Sequence, residues 1–207
     1  MPSHSIPTRL RRLLALLFCL SLAPALSGCV PLIVGGAAAV GASAVYDRRP
    51  YEVIANDQQI ELAAIHALLQ DPAVQGHSGI SVTSYNQTVL LGGRAESTEV
   101  AQRANLLVSQ LPKVKRVVDE IAIGPNLDLT RKSEDAYITS RAKLALTGIS
   151  LPDFTPLRVK AVTEDGVVYL MGLVSPQEAD AAVEKIRYVP GVKRVVKLFE
   201  YTKQSAA

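Results

Sequence analysis

The 207-residue chain has no tryptophan, three phenylalanines, three histidines and two cysteines. Both cysteines, Cys19 and Cys29, lie near the start. Everything after Cys29 therefore lacks a thiol for a disulfide, a metal site or a nucleophile. His4 belongs to the same leading stretch. His66 falls on a predicted helix and His77 in a predicted loop, and neither has metal-ligand spacing or a nucleophile beside it. Gly35-Gly36 and Gly92-Gly93 lack the Lys-Ser/Thr of a phosphate loop and do not open a βαβ unit of the right form. No apolar run is long enough to span a bilayer comfortably. The best, Leu13 to Ala25, has about 13 residues against ~30 Å of hydrocarbon. These absences point away from catalysis: the expectation is no enzyme, no catalytic residue, no metal and no cofactor.

What is present begins at the N-terminus. Arg9, Arg11 and Arg12 precede the apolar run, and small residues follow it, the layout of a secretory signal peptide. Leu26-Ser27-Gly28-Cys29 resembles the lipobox of bacterial lipoproteins. That resemblance implies cleavage before Cys29 and acylation of its thiol and its new amine. One acyl chain gives only marginal membrane binding, whereas two or three hold a protein there permanently. Cleavage would remove three arginines and no acid, taking the formal charge from +3 to zero. The basic excess thus belongs to the targeting segment and gives no argument for nucleic-acid binding. In Gram-negative lipoproteins an Asp after the cysteine retains the protein at the inner membrane. Val30 here implies the outer membrane, facing the periplasm.

Residues 30–46 carry no charge and are rich in Gly and Ala, as a flexible tether would be; they could also lie on the membrane or pack on a folded domain. The remainder is an internal repeat. Ile60, Ala64, Ala67 and Leu68 recur as Ile138, Ala142, Ala145 and Leu146, always 78 positions on. Both sets trace the buried stripe of an amphipathic helix, with Asp57 and Ser133 as expected caps near the helix starts. A hairpin follows each helix. One turns near Tyr85-Asn86-Gln87 and the other at Glu164-Asp165-Gly166, and Gly93 and Gly172 are expected to close the second strands. Ser175-Pro176-Gln177-Glu178 has the form of a capping box for a second helix, with Glu96 to Glu99 as its weaker counterpart. Pro112 and Pro190 precede matching last strands at Val114–Val118 and Val192–Val196. The Lys-Arg pairs 115–116 and 193–194 are expected on solvated edges.

The expected fold class is α+β: two tandem αββαβ modules, each a three-stranded mixed sheet packed by two helices. At about 67 residues a module is marginal alone, so contact between the two is expected. The expected boundaries are 1–28 for the signal peptide, 29–46 for the lipidated cysteine and tether, and 47–124 for the first module. The linker would occupy 125–128, the second module 129–203 and a tail 204–207.

An αββαβ unit of this size, repeated behind a lipobox, resembles the BON domain. The segments Val162–Val174 and Gly191–Val195 carry most of the likeness. With lipobox and tether, it is similar to the dual BON-domain outer-membrane lipoproteins, the division and outer membrane stress-associated lipid-binding lipoprotein family. The resemblance implies a role in envelope integrity, enrichment at division sites, and binding of anionic phospholipid by the first helix of the second module.

The residues of that helix bear on the last point. Tyr137, Arg141 and Leu144 flank its buried stripe, with Ser140 between them and Lys143 adjacent. Their counterparts in the first module are Gln59, Ala63 and His66. Arg131, Lys132, Arg141 and Lys143 add positive charge. Apolar groups rimmed by cations form an interfacial pattern, and Tyr137 stands where the family often has tryptophan. From 125 to 207 there are 12 basic and 10 acidic residues, and from 47 to 124 there are 7 and 9, giving +2 against −2. Two readings stay open on residues alone. Tyr137 and Leu144 either meet phospholipid, or pack against the first module or the loop holding Leu151 and Phe154. The rival function is a protein–protein adaptor for an outer-membrane assembly machine.

Overall fold

The computed structural model describes residues 47–202. The expected signal peptide, Cys29, the tether up to residue 46 and residues 203–207 lie outside the described residues. The first module runs α1 (Tyr51–Gln70), β1 (Ser78–Tyr85), β2 (Thr88–Ala95), α2 (Thr98–Ser109), β3 (Arg116–Asp119) and β4 (Ala122–Ile123). The second runs α3 (Leu129–Leu146), a 3₁₀ turn at Pro156–Arg158, β5 (Val159–Glu164), β6 (Val167–Val174), α4 (Pro176–Ile186) and β7 (Arg194–Tyr201). The fold is α+β, two tandem αββαβ modules. In each, a hairpin pairs antiparallel, and the crossover through α2 or α4 brings the last strand in parallel beside the hairpin's second strand. The short β4 is an addition the repeat pattern does not show: it continues along β2, pairing Ala122 with Arg94.

Both hairpins turn on two residues at positive φ: Asn86 (51°) and Gln87 (67°), and Asp165 (48°) and Gly166 (77°). This is the type I′ arrangement, whose twist matches that of paired strands. Gln87 is a poor residue for it, and a buried carboxylate compensates. Asp57 accepts the N–H groups of Asn86 (2.8 Å) and Gln87 (2.7 Å). Asp135, 78 positions later, accepts those of Asp165 (2.7 Å) and Gly166 (2.8 Å). Asp57 therefore does not cap α1: it sits inside the helix, which starts earlier after Pro50. Nor does Ser133 cap α3. Asp128 does, accepting from Arg131 N, while the Ser133 hydroxyl donates to Leu129 O. In α2 the cap is Ser97, and in α4 the expected capping box of Ser175 and Glu178 forms. Gly93 and Gly172 lie inside their strands. They allow close approach, since a Cβ at Gly93 would stand 2.1 Å from Gly79 O and one at Gly172 2.5 Å from Arg158 O.

Alternate residues of β2 and β6 serve two cores. Val89 and Leu91 pack under α1 and α2 with Ile60, Ala64, Ala104 and Val108. Val168 and Leu170 do the same under α3 and α4 with Ile138, Ala142, Ala182 and Ile186. The opposite faces meet each other through Tyr85, Leu90, Tyr169 and Met171. Two sheets thus stack back to back, with helices outside, and both central strands are buried on both faces. Among the described residues all three apolar clusters lie within residues 60–199, so a fragment that starts at Asp47 carries each of them.

Candidate functional site

The orientation of α3 is fixed by its buried side: Asp135, Ile138, Ala142 and Leu146 are all buried. Tyr137, Ser140, Arg141 and Leu144 follow at steps of three and four, so they share the outward face. Tyr137 is 61% exposed and Leu144 60%. Neither is packed against the first module or the 151–154 loop; Phe154 instead turns inward onto the second module's core. Ser140 bonds its own helix, donating to Ala136 O at 3.0 Å. Arg141 has no hydrogen-bond or ion-pair partner among the described residues. Lys143 does not belong to this face. At 100° per residue it lies about 110° around the helix, where it lines a cleft with Asp47, Leu157 and Lys160. Arg131 is not a free cation either, being bonded to Glu134 (2.5 Å) and Asp165 (3.0 Å).

The corresponding face of α1 is chemically different. Gln59, Ala63 and His66 are exposed, and Gln59 is held by Lys113 at 2.8 Å. Around α1, a second exposed row comprises Leu62, Ile65 and Leu69. Its last two members border the edge of β1 that pairs with no strand among the described residues, near Gly79 and Ile80, and the last turn of α1 has no basic residue. Sequence reasoning missed this row. Its signal was present in the i, i+3, i+7 spacing of Leu62, Ile65 and Leu69, on a different side of the helix from the buried stripe.

The seam between the modules carries most of the polar organisation. Asp165, in the β5–β6 turn, accepts from Arg94 of the first module (2.7 Å), Lys193 (2.9 Å) and Arg131 (3.0 Å). Lys193 and Arg94 foremost hold its carboxyl down at about 2. Its neighbour Glu164 shifts the other way, because burial pushes it up against the opposing hydrogen bond from Ser81. A Cβ at Gly92 would stand 2.9 Å from Glu164 Cγ, so glycine there makes room for it. Tyr169 donates to Glu120 at 3.2 Å; burial and that carboxylate raise the phenol to about 12. Arg194 stands 3.7 Å from the same Glu120. The second Lys-Arg pair is therefore not a plain solvated edge: Asp165 of its own module's hairpin turn meets Lys193, and stacking the sheets brings Glu120 to Arg194.

The stretch before α1 straps the two modules together. Arg48 grips Glu178 of α4 with two bonds (2.6 and 3.0 Å) and also donates to Leu173 O. Burial alone would raise Glu178, but Arg48 and the Ser175 N–H outweigh it and hold the carboxyl below its ordinary value. Arg49 pairs with Asp47 and Asp57 and lies 3.6 Å over the Tyr85 ring. The strap's Asp47 and the α3 residue Lys143 share one cleft, so the chain enters the folded unit beside α3. Among the described residues no group of three or more His, Cys, Asp or Glu side chains is placed to hold a metal, and no helix is long and apolar enough to cross a membrane.

The BON domain matches twice, over residues 56–125 and 135–203. The chain belongs to the BON-domain family. It is also 30% identical over 181 residues to outer membrane lipoprotein DolP of Haemophilus influenzae, covering 85% of this chain and 90% of that one. Against a 21 kDa hemolysin of Actinobacillus pleuropneumoniae it is 33% identical, over 70% of this chain and 74% of that one. This is a dual BON-domain, DolP-like lipoprotein. A structural protein of the type III secretion system of Chlamydia trachomatis, CdsD, overlays at a TM-score of 0.27 with 15% identity, covering 70% of this chain and 63% of that one.

Proposed function

We propose that this BON-domain protein is a non-enzymatic outer-membrane lipoprotein, anchored through acylated Cys29 and facing the periplasm. Its α3 face contacts anionic, phosphatidylglycerol-like lipid and so supports envelope integrity at division sites. The likeness to an outer membrane lipoprotein along most of both chains supports the address. The observation that carries the lipid reading is the outward face of α3: Tyr137 and Leu144 stand in solvent on either side of an unpaired Arg141. Burying an apolar tip at the acyl boundary while a cation meets phosphate favours an anionic bilayer over water. The anchor and the helix act together, since each raises the effective concentration of the other's contact. The proposed boundaries remain 29–46 for anchor and tether and 47–124 and 129–203 for the two modules.

The test is co-sedimentation of fragment 47–207 with phosphatidylglycerol and phosphatidylcholine vesicles. Binding to the former only, lost in Leu144→Glu, is the expected result. The second reading is a protein adaptor, and the observation favouring it is the Leu62–Ile65–Leu69 row beside that β1 edge. It predicts no vesicle binding, and a crosslinked envelope partner lost in Ile65→Glu.

A further inference from the structure

Among the described residues, Tyr188 is the most exposed of the aromatics off the α3 face, ahead of Tyr51 and Tyr201. Tyr188, two residues past the end of α4, is 70% exposed, more than Tyr137 or Leu144. It follows the α4 stripe that carries Ala182 and Ile186 into the core beneath α3, and Val189 immediately turns inward again. Tyr188 is therefore held out on a short turn between two buried anchors. Together with Pro190 it walls a shallow groove whose other lining residues include Arg141, Leu144, Ala145 and Lys185. The Lys185 amine reaches across to the end of α3, where a side chain at Gly148 would meet it at 3.7 Å.

Charge decides what such a groove accepts. Arg141 and Lys185 both border it, and neither has an acid partner among the described residues. The nearby carboxylate on α4, Glu184, is bonded to Arg187 at 3.4 Å, and the Arg187 guanidinium lies 5.2 Å from the Tyr188 ring. A groove with two uncompensated cations at its sides and Leu144 and Tyr188 at its rim is complementary to a phosphate with acyl chains beneath it. Tyrosine suits that depth, with an apolar ring and a polar tip.

We propose that the membrane-contacting surface is a two-helix platform. In it the turn after α4 presents Tyr188 as a second apolar anchor beside Leu144, and Arg141 and Lys185 together seat one anionic phospholipid headgroup of the bilayer. This rests on the lipid reading of α3 and goes beyond it, because a contact made by α3 alone has no use for residues 185–188. Three apolar tips, Tyr137, Leu144 and Tyr188, then define a plane rather than a line, and a plane fixes how the protein sits on the bilayer.

The test uses fragment 47–207 with phosphatidylglycerol vesicles in four forms besides wild type: Leu144→Glu, Tyr188→Ser, Lys185→Gln and Tyr188→Trp. Thermal melts check that each folds; the high exposure of Tyr188 predicts little change. The expected result is a loss of binding of about tenfold for Tyr188→Ser and about fivefold for Lys185→Gln, the latter shrinking as salt is raised. Because the chain has no tryptophan of its own, the indole of Tyr188→Trp reports its own surroundings. Its emission is expected to shift to the blue with phosphatidylglycerol vesicles and not with phosphatidylcholine. Full binding by Tyr188→Ser and Lys185→Gln, with Leu144→Glu inactive and the indole emission of Tyr188→Trp unmoved, overturns the platform and leaves the α3 reading standing. Absence of wild-type binding, or retained binding by Leu144→Glu, overturns the α3 reading and the platform with it.

Discussion

Helices α1 and α3 hold the same place in their modules, and their inner sides match residue for residue. Asp57, Ile60, Ala64 and Leu68 are buried in one, and Asp135, Ile138, Ala142 and Leu146 in the other. Their outer sides share almost nothing. Where α3 has Tyr137, Ser140, Arg141 and Leu144, α1 has Gln59, Leu62, Ala63 and His66. The repeat preserves what closes the fold, and each copy is free to differ where only solvent or a partner reads it. The second module's outer face carries unpaired cations, whereas the first module's carries an uncharged apolar row beside that edge of β1.

The largest effects should come from breaking what the two helices have in common. Asp57 and Asp135 each hold a hairpin turn, but Asp57 also pairs with Arg49 and accepts from the Ser84 hydroxyl. Asp57→Ala takes one of two carboxylates from a largely buried guanidinium that keeps Asp47, leaves two N–H groups and the Ser84 hydroxyl without their acceptor, and should cost about 2–4 kcal/mol. Asp135→Ala leaves only the turn unsatisfied and should cost about 1–3 kcal/mol. Urea unfolding of the two variants measures the gap directly. Equal losses would mean that Arg49 adds nothing to the Asp57 site.

The strap comes next. Arg48→Ala removes both bonds to Glu178 and should cost about 1.5–3 kcal/mol, the usual value for hydrogen bonds to a charged group. It should leave vesicle binding by the fragment unchanged, since Glu178 sits in the capping box at the start of α4 and the proposed platform uses the turn after its end. An Arg48→Ala fragment that unfolds like wild type would show the strap to be incidental.

Exchanging the outer faces sharpens the comparison at little cost in stability. Tyr137→Gln, Arg141→Ala and Leu144→His together should abolish phosphatidylglycerol binding while moving stability by no more than about 0.5 kcal/mol per site. The reverse exchange on α1, Gln59→Tyr, Ala63→Arg and His66→Leu, should strengthen binding only a few-fold, because these changes bring no counterpart of Lys185 and Tyr188 to α1. An effect as large as the loss on α3 would mean that any exposed helix with these residues suffices.

The smallest effect is a pH dependence at the seam. Asp165 has its carboxyl lowered to about 2, so its contribution is fully present above the unfolded value of about 3.9 and is lost as pH falls through about 2. Glu164 is raised, so it opposes this, favouring the fold at low pH and losing that contribution as pH rises through its folded value. Asp165 is partly exposed, so salt and water screen the effect. Melts from pH 5 to 2 should show Asp165→Asn less stable than wild type at the upper end, with the difference closing towards the lower.

Much of this fold can be read from the chain because it is written twice. A spacing of 78 residues, 79 at the hairpins, exposes both buried stripes, both hairpins and both last strands, and the capping box at Ser175 forms as its residues imply. The start of α1 is harder to read. Asp57 looks like a cap because aspartate is expensive to bury, and what makes its burial favourable comes from elsewhere: the turn N–H groups arriving from 29 and 30 residues away, with Arg49 and the Ser84 hydroxyl. The stacking of the two sheets is legible only as continuous apolar runs in β2 and β6. The ion pairs across it are not, since Arg94 and Asp165 are 71 residues apart. The α3 face is visible as a departure from the repeat. Lys143 does not share it, because adjacency in sequence is not position around a helix. Tyr188 escapes a search for periodicity, since no helical pattern extends to a residue in the turn after α4.

The central claim is that α3, and not α1, faces the bilayer. The fragment from Asp47 has no cysteine, so Leu62→Cys on α1 and Ser140→Cys on α3 place a single nitroxide label at equivalent positions of the repeat. Power saturation on phosphatidylglycerol vesicles then reads the depth of each. The label at position 140 should be shielded from water-borne relaxant and exposed to oxygen, as at the acyl boundary, while the label at 62 stays in water. Two labels in water, or the deeper one at 62, would contradict it.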